Sequence, residues 1–181
     1  MNLKLLTGAI VSSAFLLPGS ASGQTADFNI VPQPLQVDIT NDAPFILNGK
    51  TSIGVASKSN DMKRNATLLA SYIEQTTGVR PVVGKQAKNA ATIVLTIDKS
   101  IDNAEGYKLD IDAKSVRIAG ATAAGVFYGI QTLLQLFPVE IYSGTVVRGV
   151  DWKLPPLVIK DAPHSRQNQN LPLTPPSQAS V

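Results

Sequence analysis

Residues 107–112 alternate between apolar and charged side chains, and this pattern constrains the fold more than any other part of the sequence. Tyr107, Leu109 and Ile111 are the apolar positions, and a lysine and two aspartates lie between and after them. Successive side chains of a strand point to opposite faces, so the pattern predicts a half-buried strand with one face in water. Val116 and Ile118 repeat the alternation after a brief turn, which predicts an antiparallel hairpin.

Two stretches with helical spacing of apolar residues can cover the apolar face of such a sheet. The first follows the capping residues 59–61, places apolar residues at 62, 66, 69 and 73, and stops at Gly78. The second is predicted from about Thr122 to Phe137, and Pro138 follows its end. Both helices are therefore expected to be amphipathic and to pack on a sheet.

Short β-branched or alternating segments predict the other strands. They are residues 36–39, 45–47, 51–56, 92–97, 145–150 and 157–159. Strands, hairpins and two helices in this order predict an α+β fold, namely a two-layer sandwich with a mainly antiparallel mixed sheet and two helices packed on one face.

Both ends of the chain differ in composition from the middle. Lys4, the apolar run over residues 5–17 and the small residues Ala21 and Gly23 are typical of a signal peptide, and the run is shorter than the ~20 residues of a membrane span. We therefore expect residues 1–23 to be removed and the mature protein to be periplasmic or secreted, without a membrane anchor. The folded domain is expected over residues 24–161, and the proline- and amide-rich residues 162–181 predict a disordered tail.

The composition excludes several classes of site. The chain has no cysteine, which rules out disulfides, thiolate metal sites and a cysteine nucleophile. His164 is the single histidine, so a histidine-rich metal site is impossible. The net charge of +3, which falls by one with the loss of Lys4, is too small to indicate nucleic acid as a partner. We predict no catalytic, metal-binding or cofactor-binding residue.

Two local features fit a catalytic or ligand-binding site, but each has a simpler structural explanation. Asp110 and Asp112 share a strand face, which fits an acid–base pair or a cation site; we favour a solvated strand face. Residues 120–125 follow a strand and open a helix as a phosphate-binding loop does, but they lack its glycine spacing. We interpret them as a tight connection with close helix–sheet packing.

Four segments resemble, in order, the non-catalytic N-terminal domain of family-20 glycoside hydrolases, the β-N-acetylhexosaminidases. The signature helix of that domain resembles GVFYGIQTLLQL at residues 125–136. The other segments are IVPQP at 30–34, EGYKL at 105–109 and LPPLVIKDAP at 154–163. The resemblance covers roughly residues 27–163. It implies an accessory domain of an enzyme that hydrolyses terminal non-reducing N-acetyl-D-hexosamine residues from N-acetyl-β-hexosaminides.

The sequence departs from the family after Pro163. The family continues with Arg-Phe into the first strand of a catalytic (β/α)8 barrel, whereas His164 and Ser165 follow here. A barrel takes about 250 residues, so we expect none in this chain and assign no equivalent of the family's catalytic Asp-Glu pair. Loss of one G from CGA-TTC would change Arg-Phe to His-Ser; a shifted reading frame and a natural short protein are the two explanations. Translating the gene beyond its stop codon in all frames distinguishes them.

The resemblance also implies partners. A catalytic (β/α)8 barrel is the expected partner in the intact enzyme, and Trp152, the only tryptophan, would lie near the seam between the two domains. The alternative is a free-standing glycan-binding module of the cell envelope. In that case Trp152, with Tyr107 and Tyr128, would stack on the rings of N-acetylhexosamine-containing glycans.

Overall fold

A computed structural model describes residues 28–84 and 92–162. The predicted signal peptide, residues 1–23, lies outside the described residues, as does the predicted tail from residue 163 onward. Within the described part, no helix is long and apolar enough to cross a lipid bilayer.

The described residues form nine strands, two α-helices and one short 3-10 helix. In chain order they are β1 (Gln36–Ile39), β2 (Phe45–Ile46), β3 (Ser52–Val55), α1 (Asn60–Thr77), β4 (Val82–Gly84), β5 (Thr92–Ile97), β6 (Tyr107–Ile111), β7 (Ser115–Gly120), α2 (Ala123–Leu136), the 3-10 helix (Val139–Tyr142), β8 (Lys153–Leu154) and β9 (Leu157–Asp161).

Seven strands form one sheet in the order β1-β9-β6-β7-β5-β3-β4, and β2 pairs with β8 in a second, two-stranded sheet. The predicted β6–β7 hairpin is antiparallel, as are the β6–β9 and β1–β9 pairs. The β7–β5, β5–β3 and β3–β4 pairs are parallel. The predicted α+β two-layer sandwich is confirmed, and three of the six strand pairs in the large sheet are parallel.

Both helices contact the large sheet and each other, and the core lies between the two layers. Ile93 and Ile118 from the sheet, Leu69 from α1, and Ile130 and Leu133 from α2 are all fully buried. Burying side chains of this size stabilises a fold by about 1.5–3 kcal/mol each relative to exposure. The opposite face of the sheet carries Lys108 and Asp110 of β6, Arg117 of β7 and Lys160 of β9, as the alternation in the sequence predicts, whereas Asp161 lies on the helix side with Tyr107.

The helix ends are where the sequence places them. Gly78 adopts the left-handed conformation with φ 72° and caps α1, a conformation that glycine reaches without a Cβ penalty. Thr122 caps the start of α2, since its hydroxyl oxygen accepts a hydrogen bond from the N–H of Ala124 at 3.1 Å. Phe137 is extended, as the residue before a proline must be.

The strand predicted over residues 145–150 is wrong. This segment has no strand and runs through turns at Gly144 and Gly149, both with positive φ. Val147 donates its N–H to the carbonyl oxygen of Thr76 at 2.9 Å, and Val146 lies against Gly78. Val146 and Val147 therefore lie at the end of α1 instead of pairing in a sheet. The short strands β4 and β8 were not predicted.

Helix α2 approaches the sheet unusually closely because glycines line the contact. A Cβ atom at Gly125 would overlap the carbonyl oxygen of Gly106, and one at Gly129 would lie 2.5 Å from Cγ2 of Ile118. A Cβ atom at Gly120, the last residue of β7, would overlap the backbone of α2. This packing accounts for the glycines between residues 120 and 125.

We predict that Gly125→Ala lowers the free energy of unfolding by roughly 2 kcal/mol, because overpacking against backbone exceeds the gain of about 1 kcal/mol from replacing a helical glycine. Urea unfolding followed by circular dichroism measures the change. Gly49→Ala is the matched control, since no atom lies within 4 Å of its added Cβ. A Gly125→Ala variant as stable as this control would contradict the close approach.

Candidate functional site

Trp152 lies between the end of α2 and the small sheet. Its ring meets that of Phe137 edge to face, with centroids 6.4 Å apart and planes at 68°. Its carbonyl oxygen accepts a hydrogen bond from the N–H of Leu47 at 3.0 Å. The side chain is half-buried and packs against the core, so part of the ring remains accessible.

The structure does not bring Trp152 together with the other two aromatic candidates. Tyr107 and Tyr128 line a cavity of about 80 Å³ that Trp152 does not reach. Ligand pockets are usually at least about 300 Å³, so this cavity is too small for a sugar residue. Tyr107 is only 3% exposed. A three-residue stacking platform is therefore absent from the described part of the chain.

Tyr107 belongs to a buried polar cluster that joins β6, α2 and β9. Its hydroxyl lies 2.5 Å from the hydroxyl of Thr132 and donates to Oδ2 of Asp161 at 3.3 Å. Oδ1 of Asp161 accepts the N–H of Leu35 at 3.3 Å. Burial raises the pKa of Tyr107 to about 12, and the negative charge of Asp161 adds to the effect, while the bond to Thr132 opposes it.

Asp110 and Asp112 are bound to one arginine. Nε of Arg117 lies 3.8 Å from Asp110, and Nη2 lies 2.8 Å from Asp112. Partial burial would raise the pKa of Asp112, but hydrogen bonds from the N–H of Lys114 and from Ser115, with the charge of Arg117, outweigh it and lower the pKa. A general acid of a glycosidase needs a raised pKa, so this pair is a cross-strand ion-pair network on the sheet face.

The sequence also contains one glycosylation sequon, Asn65-Ala66-Thr67. Asn65, in a glycosylation sequon, lies within α1 and donates its side-chain N–H to the carbonyl oxygen of Ala123 at 2.8 Å. His164 falls outside the described residues. Across residues 28–84 and 92–162, no three His, Asp or Glu side chains cluster closely enough to hold a metal ion.

The outward side of α2 is a surface that the sequence reasoning missed. We call Ala124, Phe127, Tyr128, Gln131 and Gln135 the α2 outer face; these positions recur at helical spacing and none is fully buried. Helix α2 has no charged residue from Ala123 to Leu136. A surface helix normally carries charged side chains on its solvent side, and their absence was visible in the sequence.

The N-terminal segment extends this uncharged surface. Gln135 donates to and accepts from the backbone of Val31, with distances of 3.2 Å and 2.8 Å. Val31 is 76% exposed and Phe127 is 37% exposed. Charged residues are depleted at the cores of protein interfaces, so an uncharged helix face beside exposed apolar side chains is typical of a surface that contacts another protein unit.

Comparisons with known proteins place the chain among glycoside hydrolases. A family model described as "Glycosyl hydrolase family 20, domain 2" matches residues 27–162. The beta-hexosaminidase of Porphyromonas gingivalis (strain ATCC BAA-308 / W83) is 35% identical over 138 residues, covering 75% of this chain and 17% of that protein.

Solved structures agree with this match. The GH20 beta-N-acetylhexosaminidase from Streptomyces coelicolor A3(2) superimposes with a TM-score of 0.70 and 29% identity, over 77% of this chain and 27% of that chain. The Streptomyces plicatus N-acetyl-beta-hexosaminidase gives a TM-score of 0.67 at the same identity and coverage. The chain thus spans only 17% to 27% of the length of these relatives.

We predict that Tyr107 titrates near pH 12, two units above a free tyrosine. Because the folded pKa exceeds the unfolded one, its contribution to stability is fully present below pH 10 and is lost as pH rises from about 10 to 12. Tyrosinate absorbance at 295 nm measures the titration of Tyr107, and thermal unfolding across this pH range measures the change in stability. The Tyr107→Phe variant should lack the last step of the tyrosinate titration. If the titration curves of the variant and of the wild-type chain coincide above pH 11, the last step does not belong to Tyr107.

Proposed function

This chain belongs to glycosyl hydrolase family 20, as its domain 2, and we propose that it is an accessory domain that packs against a catalytic (β/α)8 barrel through the α2 outer face. The observation that carries the proposal is an exposed helix face without charge, continuous with Val31. The barrel would come from further sequence of the same protein or from a separate chain.

The barrel would supply the catalytic groups. We propose that the intact enzyme removes terminal non-reducing N-acetyl-D-hexosamine from N-acetyl-β-hexosaminides, with the acetamide of the substrate as nucleophile. Asp110 and Asp112, the carboxylate pair singled out in the sequence, are both bound to Arg117 and so offer no free acid–base pair. The chain alone is therefore expected to be inactive.

Physical chemistry favours the α2 outer face as the contact. Phe127 and Tyr128 stack edge to face, with ring centroids 5.9 Å apart, and burying aromatic side chains dominates the energetics of most interfaces. No charge on α2 would have to be desolvated on docking, and charged residues are depleted at interface cores. Trp152, at the far end of α2, is proposed to extend the contact.

A glycan-binding module is the alternative function. The half-buried ring of Trp152 favours it, since an aromatic ring with one accessible side can stack on a sugar. Titration with chitooligosaccharides separates the two functions. Tight binding that Trp152→Ala abolishes would support the module, and the absence of binding would leave the accessory role.

We also propose that the mature chain is periplasmic or secreted. The support is the charged start at Lys4, the apolar run over 5–17 and the small residues before Gln24. Mass spectrometry of the purified chain should find Gln24 at the N terminus; an intact Met1 in an exporting host would contradict the proposal.

We predict that the full chain does not hydrolyse p-nitrophenyl N-acetyl-β-glucosaminide. We also predict that it self-associates at high concentration through the uncovered α2 outer face. Phe127→Lys should convert it to a monomer in sedimentation velocity, because a charge at the centre of the patch opposes burial. Hydrolysis by the chain, with no barrel present, would overturn the accessory role.

The matched control is Val82→Lys on the edge strand β4, where the valine is 70% exposed but lies away from α2. It adds the same charge and should leave self-association unchanged. Equal effects of the two lysines would mean that net charge, and not the α2 outer face, governs association.

A further inference from the structure

The sheet face opposite the helices carries two lysines in direct register. Lys108 on β6 pairs with Lys160 on β9, and Gln36 on β1 follows Lys160 in the same cross-strand row. Like charges directly opposite each other on neighbouring strands destabilise a sheet. Asp110 lies 3.8 Å from Lys108 and offsets part of this cost, but no carboxylate of the described residues forms an ion pair with Lys160.

These two lysines line a groove of about 550 Å³ at the end of the sheet where β6 begins and β9 ends. This volume lies within the usual range for ligand pockets. Leu35 and Ile101 give the groove an apolar part, and Leu35 is 60% exposed. The groove therefore offers both an apolar surface and a pair of ammonium groups.

The two carboxylates in the groove are already held by their neighbours. Oδ1 of Asp98 accepts hydrogen bonds from the N–H and hydroxyl of Ser100 at 2.9 Å and 2.6 Å. Asp161 accepts from Tyr107 and from the N–H of Leu35. Each carboxylate retains lone pairs that can accept from ligand hydroxyls, while the lysines can only donate.

We propose that this groove binds a carboxylate-bearing saccharide, whose carboxylate lies between the ammonium groups of Lys108 and Lys160. Sugar hydroxyls would donate to Asp98 and Asp161, and the apolar side of the ring would lie against Leu35 and Ile101. Charge complementarity favours the acidic sugar, because Lys160 forms no ion pair with a carboxylate of the described residues, whereas Lys108 is already paired with Asp110.

The inference goes beyond the accessory role and does not depend on it. The two lysines lie on the sheet face opposite α2, so docking of a barrel on the α2 outer face would leave them open, although Asp161 lies on the α2 side of the sheet. A domain of this kind could then hold an acidic glycan near the enzyme while the barrel cleaves elsewhere. The two proposals can fail independently. Sugar binding tests the groove, and self-association tests docking through the α2 outer face.

The test is a titration of the full ¹⁵N-labelled chain with two matched pairs of sugars, followed by NMR. N-acetylmuramic acid is compared with N-acetylglucosamine, and glucuronic acid with glucose, so that each pair differs chiefly by the carboxylate. We expect both acids to bind with roughly millimolar affinity or tighter, to bind more weakly as salt rises, and to shift groove residues, while the neutral sugars bind at least about tenfold more weakly.

Lys108→Gln with Lys160→Gln should weaken acid binding by about tenfold or more. This variant should remain folded, because it removes a like-charge pair. Lys50→Gln with Lys58→Gln, which removes two exposed lysines outside the groove, controls for net charge, and Lys160→Arg should retain binding. Binding of only one of the two acids would support the proposal and restrict the ligand to saccharides of that acid's type.

Three outcomes would overturn the proposal. They are equal binding of acid and neutral sugars, binding by the Lys108→Gln with Lys160→Gln variant that matches the Lys50→Gln with Lys58→Gln control, and no binding of either acid by the folded wild-type chain.

Discussion

The close approach of α2 to β6 and β7 is the contact on which the rest of the structure depends. It requires hydrogen atoms at Gly120, Gly125 and Gly129, where a Cβ atom would meet the opposing backbone or side chains. The helix can then bury Ile130 and Leu133 completely and place Thr132 next to Tyr107. Glycine in a helix costs about 1 kcal/mol relative to alanine, and the burial that it permits offsets this cost.

The same approach ties the two ends of the domain together. Asp161, the last residue of β9, receives hydrogen bonds from Tyr107 and from the N–H of Leu35, and Gln135 on α2 holds the backbone of Val31. The segment that enters the domain and the strand that leaves it are thus fixed to one helix. This arrangement suits a domain whose orientation relative to a neighbouring unit has to be defined.

Local chemistry decided which parts of this fold could be predicted. Both helices begin and end close to the capping and proline residues that predict their ends. The β6–β7 hairpin follows from the alternation of apolar and polar residues in the two strands. The two-residue β8 and three-residue β4 are too short to have a period, and Val147 forms its backbone hydrogen bond with α1 instead of with a strand. Parallel pairing of β3, β4 and β5 depends on crossovers that no local pattern specifies.

The candidate surfaces were harder to predict, because each depends on which side chains the fold leaves outside. Trp152 could be singled out from the sequence as the lone tryptophan, but its contact with Phe137 required the end of α2 to be in place. The absence of charged residues from α2 is visible in the sequence. It indicates an interface only because the fold places Phe127 on the outer side of the helix. The pairing of Lys108 with Lys160 depends on register between strands about fifty residues apart.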